Sequence, residues 1–427
     1  MTVLPEEGIS SAAITEALTT AAADDLDWRS GRHWSLVYGS PAWHQRIVEV
    51  SMRQFMHENA ASHSAFPSAA AFESDIVSMA ASVCSPSVPC YGQFTSCGTE
   101  SIMVAMRAYR DTTPYSRCEL VVPITAHPAF WKAADYLGLR LRLVPVGGDG
   151  RADPDAMQAA IGPATAVVGL SAPCFPYGVV DPIAEIAAMA LDRGAGVHVD
   201  AALGGLFLPF LDPPFPSFGL QVPGVTSISL DLHKYGYGLK GASVVLFASP
   251  ELRHASYYVA TGWPGGAYAS NAVLGTRAVG PAAAAWSSMV ALGRKGYQEI
   301  VRGVMSTTRT LQLGIVEQEV FQLVGDPDMS VFAVTSVEPA VAAIVTAMQK
   351  RNWRIDALDV PPSMHFVVFP RHEALIDEFL SDLAAAATEA TATSTHSPPT
   401  SVYGVLVRGH LVTHALLRAD LDARYDR

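Results

Sequence analysis

The sequence predicts an α/β fold, a mostly parallel sheet in a large domain followed by a smaller α+β C-terminal domain. Three observations carry this. Between about residues 59 and 302, short apolar and β-branched runs alternate with helical patterns, the rhythm of parallel strands joined by crossover helices. After 302, the strand candidates lie between helices in a shorter stretch. The chain has 427 residues and is 50% hydrophobic, enough to bury a large core and, by length, to hold two or three structural units.

In order, residues 1–58 read as a largely helical N-terminal segment, with an amphipathic stretch near Ile47–Met56. Residues 59–302 form the large domain, whose strand candidates are Leu120–Ile124, Leu141–Val144, Ala166–Leu170, Val197–Asp200, Ser227–Leu230 and Ser243–Phe247. Pro182–Arg193 reads as a helix, and so does Ala278–Gly293, where Pro281 suits a first turn. Residues 303–427 form the small domain, with strands expected at Phe321–Val324, Val331–Val334 and Phe366–Phe369. Thr388–Thr400 is expected to be a polar, mobile loop. No internal repeat is evident.

Composition narrows the function. A formal net charge of -12 argues against a general nucleic-acid binder while leaving room for local anion sites. The five cysteines (Cys84, Cys90, Cys97, Cys118, Cys174) lack metal-ligand spacing, so no metal is expected, and their odd number suits reduced thiols in the cytoplasm. The longest apolar window, Ala278–Gly293, falls short of the roughly 20 residues a membrane span needs and is bracketed by Arg277 and Arg294. The N-terminus carries Glu6 and Glu7 where a secretory signal would be positively charged. A soluble protein is expected.

Four segments carry chemistry. Ser227–Leu246 sets His233-Lys234 in a turn loosened by Gly236, Gly238 and Gly241 between two strand candidates. A lysine amine held there against a carbonyl cofactor can lose its proton and form a Schiff base. His198-Val-Asp-Ala201 places Asp200 at the carboxyl end of a parallel strand, where α/β sheets bind ligands; buried, that carboxylate needs a cationic partner. Thr95–Ser101 (TSCGTES) introduces a helix with free backbone N–H groups at its start, a site suited to phosphate. His127, after the strand candidate Leu120–Ile124, could lie flat on an aromatic ring. Taken singly, each has a plainer reading: a surface lysine after a strand, an aspartate capping a turn, a Ser/Thr helix cap, a satisfied loop histidine.

Together with their order along the chain, TSCGTESIMVAMRAYRD (Thr95–Asp111), TAHPAFWKAADYLG (Thr125–Gly138), SAPCFPYGVVDP (Ser171–Pro182), HVDAALGG (His198–Gly205), GVTSISLDLHKYGYGLKG (Gly224–Gly241), TGWPGGAYASNAVLGTRAVG (Thr261–Gly280) and PPSMHF (Pro361–Phe366) make the chain resemble the sphingosine-1-phosphate lyases. These belong to the group II decarboxylase branch of fold-type-I enzymes that use pyridoxal 5'-phosphate (PLP). The resemblance runs from about Gly31 nearly to the C-terminus. It implies the fold-type-I PLP-dependent transferase fold and roles residue by residue. Lys234 would bind the cofactor covalently, Asp200 would hold its pyridinium, His127 would stack on its ring, and Gly98, Thr99 and His233 would bind its phosphate. Lys240, six residues after Lys234, is expected near the substrate phosphate, and Tyr38 of Val37-Tyr38-Gly39 would face the substrate with Asn59 and His63. The resemblance further implies a homodimer with a shared site, the partner lending Tyr38 and the Trp263-Pro-Gly-Gly266 loop, whose Gly265 and Gly266 bring N–H groups close to an anion. Family members from eukaryotes carry an N-terminal membrane anchor, and this chain is expected to be without one.

The implied reaction is retro-aldol cleavage of a phosphorylated long-chain base, such as sphingosine 1-phosphate, to a fatty aldehyde and phosphoethanolamine. Three departures bear on it. Cys97 replaces a glycine of the phosphate loop, Leu232 replaces a hydroxyl residue before His-Lys, and Ser62 stands where the family has a histidine, leaving His63 one position late. They surround the substrate rather than the cofactor link, so an amino-acid decarboxylase of the same branch and a PLP-fold binding protein without turnover remain alternatives.

Overall fold

The computed structural model describes residues 4–213, 215, 217–392, 399–402, 405–408 and 414–425. Helices α1 (Ser11–Ala21), α2 (Ala42–Gln54) and α3 (Pro67–Cys84) precede strand β1 (Tyr91–Thr95). The alternation then runs α4 (Gly98–Thr112), β2 (Glu119–Pro123), α5 (Ala129–Leu137), β3 (Arg140–Val144), α6 (Pro154–Ala160), β4 (Thr165–Ser171), α7 (Ile183–Asp192), β5 (Gly196–Asp200), β6 (Ser227–Asp231), β7 (Ser243–Phe247) and α8 (Pro250–Ala255). These seven strands form one sheet in the order β1-β7-β6-β5-β4-β2-β3. Strands β2 to β6 are mutually parallel, while β7 runs antiparallel to β6 and β1 antiparallel to β7. Every residue of β4, β6 and β7 is buried, as expected for strands covered on both faces. The β-branched runs of the sequence land on β2 to β7 with ends displaced by at most one residue. Strand β1, YGQFT, adds a seventh that the sequence reading lacked.

A small hairpin, β8 (Tyr258–Ala260) and β9 (Tyr268–Ser270), separates the sheet from α9 (Gly280–Val316). Helix α9 starts with Pro281 in its first turn and is interrupted at Gly293, where φ is 57° and ψ 179°. It continues well beyond Gly293, so the division expected at residue 302 falls inside this helix.

The second sheet is antiparallel, with β10 (Phe321–Leu323), β11 (Val331–Ser336), α10 (Val341–Gln349), β12 (Asp356–Asp359) and β13 (Pro362–Val367) in the strand order β10-β11-β13-β12. The strand expected at Phe366–Phe369 begins four residues earlier, because the S-M-H-F segment pairs with β11 over its whole length and Pro362 to His365 pair with β12. Helix α11 (Ile376–Ala392) covers the sheet, and β14 (Pro399–Val402), β15 (Val405–Arg408) and α12 (His414–Tyr425) follow. Of the loop expected over 388–400, residues 388–392 belong to α11 and 399–400 to β14, and 393–398 lie outside the described residues.

The N-terminal segment packs onto the second sheet. Trp34 is buried against Trp353, Phe366 and Phe379, and its carbonyl accepts from the Val367 N–H at 2.8 Å. Helix α2 lies along α9. Among the described residues, no helix is long and apolar enough to cross a membrane.

Candidate active site

The carboxyl ends of β5 and β6 and the segment after β2 converge on one pocket, lined by His127, Ser171, Pro173, Phe175, Asp200, Ala202, Leu203 and Lys234. Parallel strands leave their carboxyl ends open here, at the edge where α/β sheets bind ligands. Asp200 is the last residue of β5 and is buried. One of its oxygens accepts from the Ala202 N–H at 3.0 Å. Burial pushes this carboxyl up from its ordinary value, and His127 and Lys234 pull it partly back. A cation placed beside it would complete that neutralisation.

His127 Nδ1 accepts the Ala129 N–H at 3.1 Å, which leaves the proton of the neutral ring on Nε2. Burial lowers its pKa, with Asp200 acting in the opposite sense. A neutral imidazole beside a carboxylate is suited to stacking on an aromatic cofactor.

Lys234 stands just past β6, its ammonium 3.2 Å from Asp231 Oδ2. His233 Nε2 lies 3.6 Å from the same oxygen, and its Nδ1 donates to the Ala242 carbonyl at 2.7 Å. Burial alone would push Asp231 up, but Lys234 and His233 outweigh it and hold the carboxyl below the usual carboxylate range. Sequence reasoning missed Asp231, although its place three residues before the lysine, at the end of an apolar strand, was a usable signal.

Helix α4 opens at the other side of this group. Its N-cap residue, Cys97, makes no side-chain cap, so the first-turn N–H groups of Gly98 and Thr99 remain for an anion. A Cβ on Gly98 would sit 2.9 Å from Asp231 Oδ1, so a side chain there would have to displace that carboxylate. Glu100, also missed, is buried in the first turn. One oxygen accepts from Ser96 N–H and the other from Val273 N–H, both at 2.6 Å, tying the start of α4 to the chain just after the β8–β9 hairpin. Lysine, carboxylate, imidazole and open helix N-terminus therefore fit PLP: an amine for its carbonyl, an acid for its ring nitrogen, a flat neutral ring for its face and N–H donors for its phosphate.

Lys240 lies over the Tyr38 ring, 5.4 Å from its centroid. Burial, with Lys234 adding to it, pushes the Lys240 ammonium down to about 8. Tyr38 also meets Tyr235 edge-on at 5.1 Å. Within this chain Tyr38 thus lies against Lys240 and Tyr235, and the segment that carries it is held by the buried Trp34 on the second sheet. Asn59 is used locally, its side chain accepting from Ala61 N–H at 2.9 Å. His63 faces Glu73, 3.7 Å away, and Arg277 holds that carboxylate at 2.9 Å. Trp263 to Gly266 form the tip of the β8–β9 hairpin, with Trp263 61% exposed and Gly266 at a φ of 109°.

Comparison with known proteins places this geometry. Residues 42–208 match the family described as Aminotransferase class-V. The sphingosine-1-phosphate lyase of Dictyostelium discoideum is 38% identical over 89% of this chain and 73% of its own length. Sphingosine-1-phosphate lyase 1 of Rattus norvegicus is 35% identical over 90% of this chain and 70% of its own. Among solved structures, a sphingosine-1-phosphate lyase from Burkholderia pseudomallei superposes with a TM-score of 0.89 at 30% identity, covering 100% of this chain and 96% of that one. A glutamate decarboxylase from Lactobacillus brevis shares the fold, with a TM-score of 0.80 at 17% identity over 93% of this chain and 96% of that one. With its lysine, aspartate and histidine gathered on one pocket and its likeness extending over nine-tenths of its length, the chain belongs to the sphingosine-1-phosphate lyase family.

Proposed function

We propose that the protein is a PLP-dependent carbon–carbon lyase that cleaves a phosphorylated long-chain base such as sphingosine 1-phosphate to a fatty aldehyde and phosphoethanolamine. The observation that carries this is the grouping of Lys234, Asp200 and His127 on one pocket with a second lysine, Lys240, beside Tyr38. PLP, when bound, supplies the electron sink for the pair left on Cα as the Cα–Cβ bond breaks. Lys234 would hold the cofactor through its amine. Asp200 keeps a proton on the ring nitrogen, His127 fixes the ring's plane, and Gly98, Thr99 and His233 hold its phosphate. Tyr38, Lys240 or the released Lys234 removes the 3-hydroxyl proton, and a proton returned to Cα completes phosphoethanolamine. Supplying purified holoenzyme with sphingosine 1-phosphate tests this. Aldehyde with phosphoethanolamine supports it, while an amine with CO2 from an amino acid supports the decarboxylase and overturns it.

Lys240 is the handle for the substrate phosphate in this reading. Lys240→Ala should lower kcat/KM for the phosphorylated base by roughly 2–5 kcal/mol, as for one partner of a buried charge pair, and affect the unphosphorylated base far less. The pH dependence follows from the same group. A lysine titrating near 8 is charged below that pH and neutral above it, so kcat/KM for the phosphorylated base should fall as pH rises through about 8. A profile flat from 7 to 9 would remove Lys240 from that role.

The assembly belongs to the same proposal, as a homodimer in which the β8–β9 hairpin reaches the partner's site. The hairpin and its flanks expose Val259, Trp263 and Val273, each about 60% accessible, and α2 exposes Trp43, Ile47 and Val50 along one side. Lone apolar residues are ordinary on surfaces, whereas such clusters mark contact sites. Mixing inactive Lys234→Ala protomers with protomers inactivated at Gly265 and Gly266 should restore part of the activity. No recovery despite proven subunit exchange would count against a shared site. We place the enzyme in the cytoplasm, where the free thiols of its five cysteines would stay reduced.

A further inference from the structure

We propose that Ser40, His44 and Ser288 form a buried relay that sets the Lys234–Lys240 loop against the Tyr38 segment, with His44 as a positioning residue. Gly236 lies inside that loop, two residues after Lys234 and four before Lys240. Its carbonyl accepts from Ser288 Oγ at 2.6 Å and from the Tyr297 hydroxyl at 3.1 Å. A carbonyl oxygen only accepts, so the single hydroxyl proton of Ser288 is committed to it. Ser288 Oγ must then accept at its other contact, 3.0 Å from His44 Nε2, and that nitrogen carries the proton. In the neutral ring Nδ1 is left as an acceptor, and Ser40 Oγ donates to it at 2.8 Å.

Each link therefore has one direction, from Ser40 to His44 to Ser288 to Gly236. All three side chains are buried, and His44 and Ser288 have no exposed surface. Burial also pushes the His44 pKa down, in keeping with a neutral ring. The two ends of the relay serve different parts of the site. Ser40 is two residues from Tyr38, and Gly236 belongs to the turn that delivers Lys240 over the Tyr38 ring. Helices α2 and α9, which carry His44 and Ser288, thus act as the frame between the phenol and the lysine. The loop has little slack, since a Cβ on Gly236 would meet the Leu232 carbonyl at 2.4 Å. Shifts in the Gly236 carbonyl are passed along the turn to Lys240.

The effect on turnover rests on the proposed lyase reaction; the effect on the loop does not. Asparagine at position 44 reaches about as far as Nδ1 and loses Ser288, whereas glutamine reaches about as far as Nε2 and keeps it. His44→Asn and Ser288→Ala should raise KM for a phosphorylated long-chain base roughly 3- to 10-fold with kcat little changed, and His44→Gln should restore most of the loss. Ser288→Ala removes a single atom and keeps the test open where His44→Asn fails to fold. Amide hydrogen exchange of residues 232–241, read on the holoenzyme without substrate, should quicken in the Asn and Ala variants and return towards wild type with Gln. Exchange unchanged in both, or a Gln variant no better than Asn, overturns the relay. If wild type cleaves no phosphorylated base, the lyase reading fails while the exchange measurement still decides the relay.

Discussion

Lys234→Ala is expected to abolish turnover, by at least about a thousandfold, and to leave no cofactor that borohydride can fix to the protein. Lys234 brings a primary amine to the pocket wall that Asp200 and His127 also line. Its removal also strips Asp231 of its nearest cation, at 3.2 Å, while His233 remains at 3.6 Å. The fold should survive with a loss of about 1.5–3 kcal/mol, the range for a hydrogen bond to a charged group. Mass spectrometry of reduced protein checks the first expectation and a melting curve the second. A fixed adduct on the variant would mean that another residue carries the cofactor.

Asp200→Asn should reduce kcat by about 10- to 150-fold, the rate equivalent of a charge-assisted hydrogen bond worth roughly 1.5–3 kcal/mol. The amide keeps the size of the side chain and an oxygen for the Ala202 N–H, so cofactor binding should weaken less than turnover does. What it cannot do is hold a proton on the ring nitrogen, where negative charge must be drained as the bond breaks. Normal turnover would reduce Asp200 to a cap for residue 202. Single-turnover kinetics on fully loaded variant separates the two readings.

Much of this was legible in the sequence because it depended on local signals. Strands covered on both faces favour apolar, β-branched runs, and β2, β4 and β7 were visible as such. Lys234, Asp200 and His127 each sit at or just past the end of a sheet strand, so placing the strands brought the three side chains to one pocket. Strand β1 was not legible, because YGQFT has the polar Gln93 at its centre; that residue is buried and its amide donates to the Asn271 carbonyl at 2.6 Å. Its pairing with β7 is a long-range fact that no local pattern encodes. Strand β12, DALD, is short and acidic and owes its form to the neighbouring β13. Gly98 was legible as a phosphate-loop glycine, but its close approach to Asp231 required the folded chain.

The wall of the pocket at Phe175 is fastened from outside the large sheet. His365 on β13 contacts the Phe175 carbonyl through Nε2 at 2.8 Å and lies against its ring, 4.3 Å between centroids. Asp328 donates its N–H to the Gly178 carbonyl at 3.0 Å, and its carboxylate receives Val180 N–H at 2.7 Å and Arg151 at 2.6 Å. Gly178 itself, at a φ of 69°, passes so near the Val331 carbonyl that any side chain would collide. A fragment trimmed after residue 302 would therefore keep Lys234, Asp200 and His127 and lose the contacts that fasten Phe175 on the pocket wall. Attempts to transplant or shorten this enzyme have to carry β11 and β13 with the sheet, and libraries that vary the pocket wall at Phe175 should include His365 and Asp328 although neither lines it.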